Sequence, residues 1–82
     1  MNDLRLAVAG AAGRMGRMLI QTIPDTLGVR LVGALESPAS PELGHDSGRL
    51  LGLAENGVIV TADPLAALED CDAVIDFSSP AS

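Results

Sequence analysis

Four short apolar runs recur along the chain: "LRLAVAG" (4–10), "VRLVGALE" (29–36), "GVIVT" (57–61) and "DAVIDFS" (72–78). Val, Ile, Leu and Ala occupy both alternating faces of these runs, as in parallel strands buried from two sides. Between the first two, Met15, Leu19, Ile20 and Ile23 fall at helical spacing, and Pro24 ends the helix at or just before itself. Gly28 then turns the chain into the second run. The result is a strand–helix–strand unit of about 30 residues, the size of a right-handed crossover.

The stretch from Ser37 to Asn56 is rich in Pro, Ser and Gly and has no clean period. It reads as a long loop with one helical turn within 49–54, and loops of this length are usually functional or mobile. After the third run, "DPLAALEDC" reads as a helix with Asp63 or Thr61 near its cap and Pro64 at its first position. Leu65 and Leu68 are expected to face the sheet. The order is β-α-β-loop-β-α-β, which predicts a three-layer α/β half-domain with a parallel sheet in the order 3-2-1-4. The fourth strand then lies at an edge with one face thinly covered. Residues 1–82 form one dinucleotide-binding unit in this reading, with the substrate and catalytic domain absent.

The most informative stretch joins the first strand to the first helix. Gly10, Gly13 and Gly16 are spaced G-x-x-G-x-x-G. Gly10 would let the chain turn sharply, Gly13 would let a pyrophosphate approach the backbone, and Gly16 would let the helix pack closely. The free N–H groups at the helix start supply an anion site. Arg14 and Arg17 place positive charge where it opposes the helix dipole, which is easier to understand if an anion sits there. Glu36 closes the second strand 20 residues after Gly16. A carboxylate there can accept from adenosine-ribose hydroxyls and favours NAD over a 2′-phosphorylated cofactor. A purely structural turn and a solvated strand-end carboxylate are the plainer alternatives.

Asp76, Phe77 and Ser78 close the fourth strand at the same crevice. Phe77, the sole aromatic residue, can cover the nicotinamide or its ribose, or simply fill core; Asp76 can be a polar contact or a helix cap. His45, Asp46 and Arg49 sit in the long loop without partners for a metal site or proton relay, and read as exposed loop residues.

Composition narrows the partners. The net charge is −6, with five Arg and no Lys, so no basic stripe is available for nucleic acid. Cys71 is the only cysteine; it fits a reducing compartment and reads as a small, half-buried side chain. No secretory h-region and no stretch of about 18 apolar residues is present, so the expectation is a cytoplasmic protein without membrane partners.

"VAGAAGRMGRMLIQ", "GVRLVGALES", "LGHDSGRLLG" and "DAVIDFSSP" together resemble the N-terminal portion of bacterial dihydrodipicolinate reductase, over nearly the whole chain. The resemblance implies an oxidoreductase of the diaminopimelate branch of lysine synthesis, reducing a cyclic, unsaturated dicarboxylate with NADH or NADPH. It implies that Gly10, Ala11, Ala12, Gly13, Arg14 and Met15 cradle the pyrophosphate, with Gly16 completing the turn, that Glu36 holds the adenosine ribose, and that Phe77 lies by the nicotinamide. Many members have an Arg after that acid to meet the 2′-phosphate of NADPH. Ser37 stands there in this chain, which leans toward NADH. The family's catalytic histidine and lysine have no counterpart, so no catalytic residue and no metal ligand is expected and the chain alone should be inactive.

Two other readings stay open. One is a non-catalytic, truncated or engineered module that forms homo-oligomers through its exposed fourth strand. The other is a short-chain dehydrogenase, which shares the glycine spacing; "DFSSP" favours the reductase.

Overall fold

The computed structural model describes residues 3–77. The strands are β1 (Leu4–Ala9), β2 (Val29–Leu35), β3 (Val60–Thr61) and β4 (Ala73–Asp76), and the helices are α1 (Arg14–Thr22) and α2 (Pro64–Leu68). Single 3-10 turns cover Ile23–Asp25 and Arg49–Leu51. All three strand pairings are parallel, and the sheet order is β3-β2-β1-β4, the expected one. Ser78 and the rest of the final "SSPAS" lie outside the described residues.

Alternation along β1 divides the core between two faces. Leu6 and Val8 join Ile20 and Ile23 in one buried cluster with Ala11, Ala34 and Val60. The other face is reached by Ala7, which is fully buried. There the β1–β2 register jumps: Leu6 pairs with Leu31 but Ala7 with Gly33, leaving Val32 as the extra residue of a bulge. Gly33 lies so close to α2 that an added Cβ would stand 1.9 Å from the Ala67 carbonyl oxygen. A helix on each face makes three layers.

Two packing expectations change. Leu65 is 78% exposed, and the buried residue of α2 is Ala67. The two positions are about 200° apart around a helix, and the close approach at Gly33 admits only a small side chain. Leu68 is half-buried, as expected. Met15 is 50% exposed because Gly16, four residues before Ile20, occupies the core-facing position of the first turn. Of the two residues expected near its start, Asp63 caps α2 and accepts the Leu65 N–H at 3.0 Å, while the Thr61 hydroxyl accepts the Asp63 N–H at 3.1 Å.

The 37–56 segment is the expected loop with one helical turn, at Arg49–Leu51, and it is also tied to the sheet. Gly44 N–H donates to Val60 O and Val60 N–H to His45 O, both at 2.9 Å, and Ser47 N–H donates to Val58 O at 2.8 Å. With an antiparallel bridge between Asp46 and Ile59, the segment lines the outer edge of β3. Asp46 is therefore not an exposed loop residue: it is 7% exposed. Its Oδ1 accepts the N–H groups of Gly48, Arg49 and Asn56, and its Oδ2 that of Gly57. Partial burial pushes this carboxyl up, but the four donors outweigh it and hold it below the usual carboxylate range. His45 and Arg49 are exposed, as read.

Candidate functional site

The glycine turn is built from the backbone outward. Gly10 has φ +75°, a left-handed conformation that side chains disfavour. The N–H groups of Gly10 and Ala11 donate to Leu35 O at 2.9 and 3.2 Å, tying the turn to the end of β2. Gly13 N–H returns to Gly10 O at 3.0 Å, and Gly13 then caps α1. Gly16 faces the turn itself: a Cβ there would lie 2.2 Å from Gly10 O. At Gly13 a Cβ would be 3.3 Å from the same oxygen, so the fold demands a glycine far less at this position. Ala11 is fully buried beneath the turn.

The donors that remain point outward from the start of a nine-residue helix. The N–H groups of Arg14, Met15 and Gly16 have no intrahelical acceptor, and Gly13 offers no capping side chain. Together they form a concentration of partial positive charge suited to phosphate oxygens. No acidic residue lies in this first turn, and Arg14 is exposed beside it. Arg17 is half-buried; its Nε donates to Ala12 O at 2.7 Å.

Glu36 follows β2 directly, and its N–H donates to Thr61 O at 2.9 Å. The carboxylate reaches the turn: Ala12 N–H donates to Oε2 at 2.7 Å, and Ser37 N–H to Oε1 at 3.2 Å. Phe77 N–H donates to Ala9 O at 2.8 Å, so Phe77 stands at the end of β4 next to the start of the turn, 36% exposed. Asp76 is exposed on the same strand end. The structure thus gathers Gly10 to Gly16, Glu36 and Phe77 at the carboxyl ends of the central strands, where open α/β sheets bind ligands. Cys71 is half-buried away from this end, its thiol donating to Leu68 O at 3.2 Å.

The family model for the N-terminus of dihydrodipicolinate reductase matches residues 4–82. The chain belongs to this family. Among curated relatives, the 4-hydroxy-tetrahydrodipicolinate reductase of Methylocella silvestris is 55% identical over 82 residues, the whole of this chain and 30% of the relative. Those of Afipia carboxidovorans (54% over the whole chain) and Parvibaculum lavamentivorans (53% over 98% of it) match the same share, 30%, of their own lengths. The chain therefore spans about a third of these reductases. It corresponds to their nucleotide-binding part, and it carries the Rossmann-type sheet and glycine turn of that part.

Two structural features go beyond what was expected from the sequence. The first is that Arg17, read only as a charge at the helix start, is bound to the turn. The second is Asp46, whose signal was present: Asp followed by Gly two residues on, with a second turn at Asn56-Gly57, is a loop chemistry in which the carboxylate gathers nearby N–H groups. Among the described residues, no group of three or more His, Cys, Asp and Glu is placed to hold a metal. No helix among them is long and apolar enough to cross a membrane.

Proposed function

We propose that residues 1–82 bind the nicotinamide dinucleotide of a 4-hydroxy-tetrahydrodipicolinate reductase, an oxidoreductase that delivers hydride from the bound cofactor to a cyclic dicarboxylate. The observation that carries the proposal is the pairing of an outward-facing set of helix N–H groups with a carboxylate 2.7 Å from the same turn. In this reading the N–H groups of the first turn of α1, with Arg14, hold the pyrophosphate. Glu36 accepts from ribose hydroxyls at the acceptor sites that its two backbone donors leave open, and Phe77 borders the nicotinamide. The cofactor supplies the hydride; these residues bind it, orient it and keep its phosphates out of bulk water.

The same geometry favours NADH. Glu36 is flanked by the Ser37 N–H, not by a cationic side chain, so a 2′-phosphate would meet a carboxylate with no charge to offset it. Substrate binding and proton donation belong, in this proposal, to parts of the reductase beyond this span, and the 82 residues alone bind NADH without turnover.

Titration with NADH, followed through nicotinamide fluorescence, tests the proposal. Saturable binding to wild type and at least about tenfold weaker binding to Gly13→Val are expected, since the valine side chain would stand where the pyrophosphate approaches. Equal signals for both proteins would sink the assignment. Ser37→Arg should raise NADPH affinity by about tenfold through a charge-assisted phosphate contact.

A second reading, self-association, draws on β4. Among the described residues it pairs only with β1, and Val74 is 45% exposed. A monomer by light scattering at high concentration would remove it.

A further inference from the structure

We propose that Arg17 and Glu36 form a two-sided clamp on Ala12 that sets the glycine turn in its binding shape before a dinucleotide arrives; this rests on the dinucleotide reading of the same turn. Ala12 is the tip of that turn. Its N–H donates to Glu36 Oε2 at 2.7 Å, and its carbonyl oxygen accepts Arg17 Nε at 2.7 Å. Both bonds are short and each has one ionised partner, the combination that makes protein hydrogen bonds strongest. They act on the two peptide groups that flank Ala12, so both planes are fixed at once. The second plane is held again by Gly13 N–H on Gly10 O, at 3.0 Å.

A turn with glycines at 10 and 13 needs such restraint. Glycine has the widest choice of backbone conformations and loses the most freedom when ordered. If the turn were loose, each binding event would have to order it, and apparent affinity would fall with the fraction of competent turns. Arg17 is well placed to prevent this. A bare cation in the first turn of a helix is opposed by the helix dipole, whereas the Ala12 carbonyl offers it a nearby acceptor. The two arginines therefore divide the work: exposed Arg14 faces the ligand, and half-buried Arg17 faces the turn. Arg17 is a positioning residue, acting through Ala12.

The test joins amide hydrogen exchange of the unliganded protein, read by NMR at Ala12 and Gly13, with NADH titration. Arg17→Met keeps the side chain out to the position of Nε and removes the guanidinium donors. The expected result is faster exchange at both amides, unchanged protection of Val8 and Ala34 in the core, and about tenfold weaker NADH binding, as if the competent turn fell to about a tenth of the population. Arg17→Lys should restore part of both. Glu36→Gln should speed exchange at Ala12 in the free protein. Weaker NADH binding with unchanged free-state amides would mean that Arg17 touches the ligand directly, and would overturn the clamp. Unchanged amides and unchanged binding would overturn it as well. If wild type fails to bind NADH, the dinucleotide reading falls, while the amides still decide whether the clamp exists. Should Arg17→Met not fold, Arg17→Lys and Glu36→Gln carry the amide comparison.

Discussion

Three glycines at equal spacing do three different things, and their substitutions should separate accordingly. Gly10 supplies a left-handed φ. Gly16 supplies space, since any Cβ would meet the Gly10 carbonyl oxygen at 2.2 Å and the Ala11 Cα at 2.8 Å. Neither neighbour is a flexible side chain that could swing away. Gly16→Ala is expected to destabilise the fold by about 3 kcal/mol, at the upper end of overpacking effects, read as a lower urea midpoint with unchanged slope. Gly13→Ala meets the same oxygen only at 3.3 Å and has φ −75°. It should change stability by less than about 1 kcal/mol, the helix-side penalty of a glycine offsetting part of the crowding, while weakening NADH binding. A Gly13→Ala variant that unfolds as readily as Gly16→Ala would contradict this division. The spacing alone identified all three positions. It could not rank them, because the ranking depends on which backbone atoms the turn brings opposite each Cα.

At the scale of elements, the runs and their order were legible because β1 and β2 are buried on both faces and carry few polar residues. α1 was legible from its period, with Pro24 as its stop. The errors fall where packing is decided by a neighbour rather than by the element's own sequence. From sequence, Leu65 reads as a core residue because it is apolar and sits in a helix. Whether it faces the sheet is set by Gly33 on another strand, whose close approach to the Ala67 carbonyl puts Ala67 inward. Leu65→Gln should therefore shift stability by no more than about 0.5 kcal/mol, as for ordinary surface positions. Ile20→Ala, at 2% exposure in the main cluster, should cost about 3 kcal/mol through lost burial and a residual cavity. Thermal or urea unfolding of the two variants side by side checks the contrast, and a comparable loss in both would place α2 the other way round. Within the 37–56 loop, the expectation of an exposed Asp46 fails for a related reason. The loop's order comes from the Asp46 carboxylate and from pairing with residues 58–60, neither of which has a period.

Over the whole molecule, two aspartates at separate places tie segments that are distant in sequence, and both make folding depend on pH in the same direction. Asp72 is held by Arg5: the guanidinium donates through Nε at 3.2 Å and Nη2 at 3.0 Å, and the Arg5 backbone N–H at 2.9 Å. The returning Asp72 N–H reaches Arg5 O at 2.7 Å, so this cluster fastens β4 to the opening of β1. Hydrogen bonds from the Arg5 side chain and backbone N–H, helped by its charge, hold the Asp72 carboxyl below the usual range against the opposing effect of burial. Asp46 is lowered by its four backbone donors and fastens 46–49 to 56–57. A carboxyl with a lower pKa in the folded chain than in the unfolded one binds its proton more readily when unfolded. Stability from both groups is thus fully present above the ordinary aspartate value, about 3.9, and is lost as pH falls through the lower folded values. The raised pKa of Arg5 works in the opposite sense, but only at strongly alkaline pH. Urea midpoints should therefore hold level from pH 7 to about pH 5 and fall progressively below about pH 4. Asp46→Asn keeps one oxygen acceptor but cannot accept on both sides, so it should lower the midpoint at pH 7 and flatten the acid fall. Asp72→Asn should flatten it too, and the double variant should flatten it most, since the two clusters share no residue and their effects should add. A wild-type midpoint that stayed constant down to pH 3, or an acid slope unmoved by either substitution, would show that these carboxylates are not what fastens the two ends of the sheet.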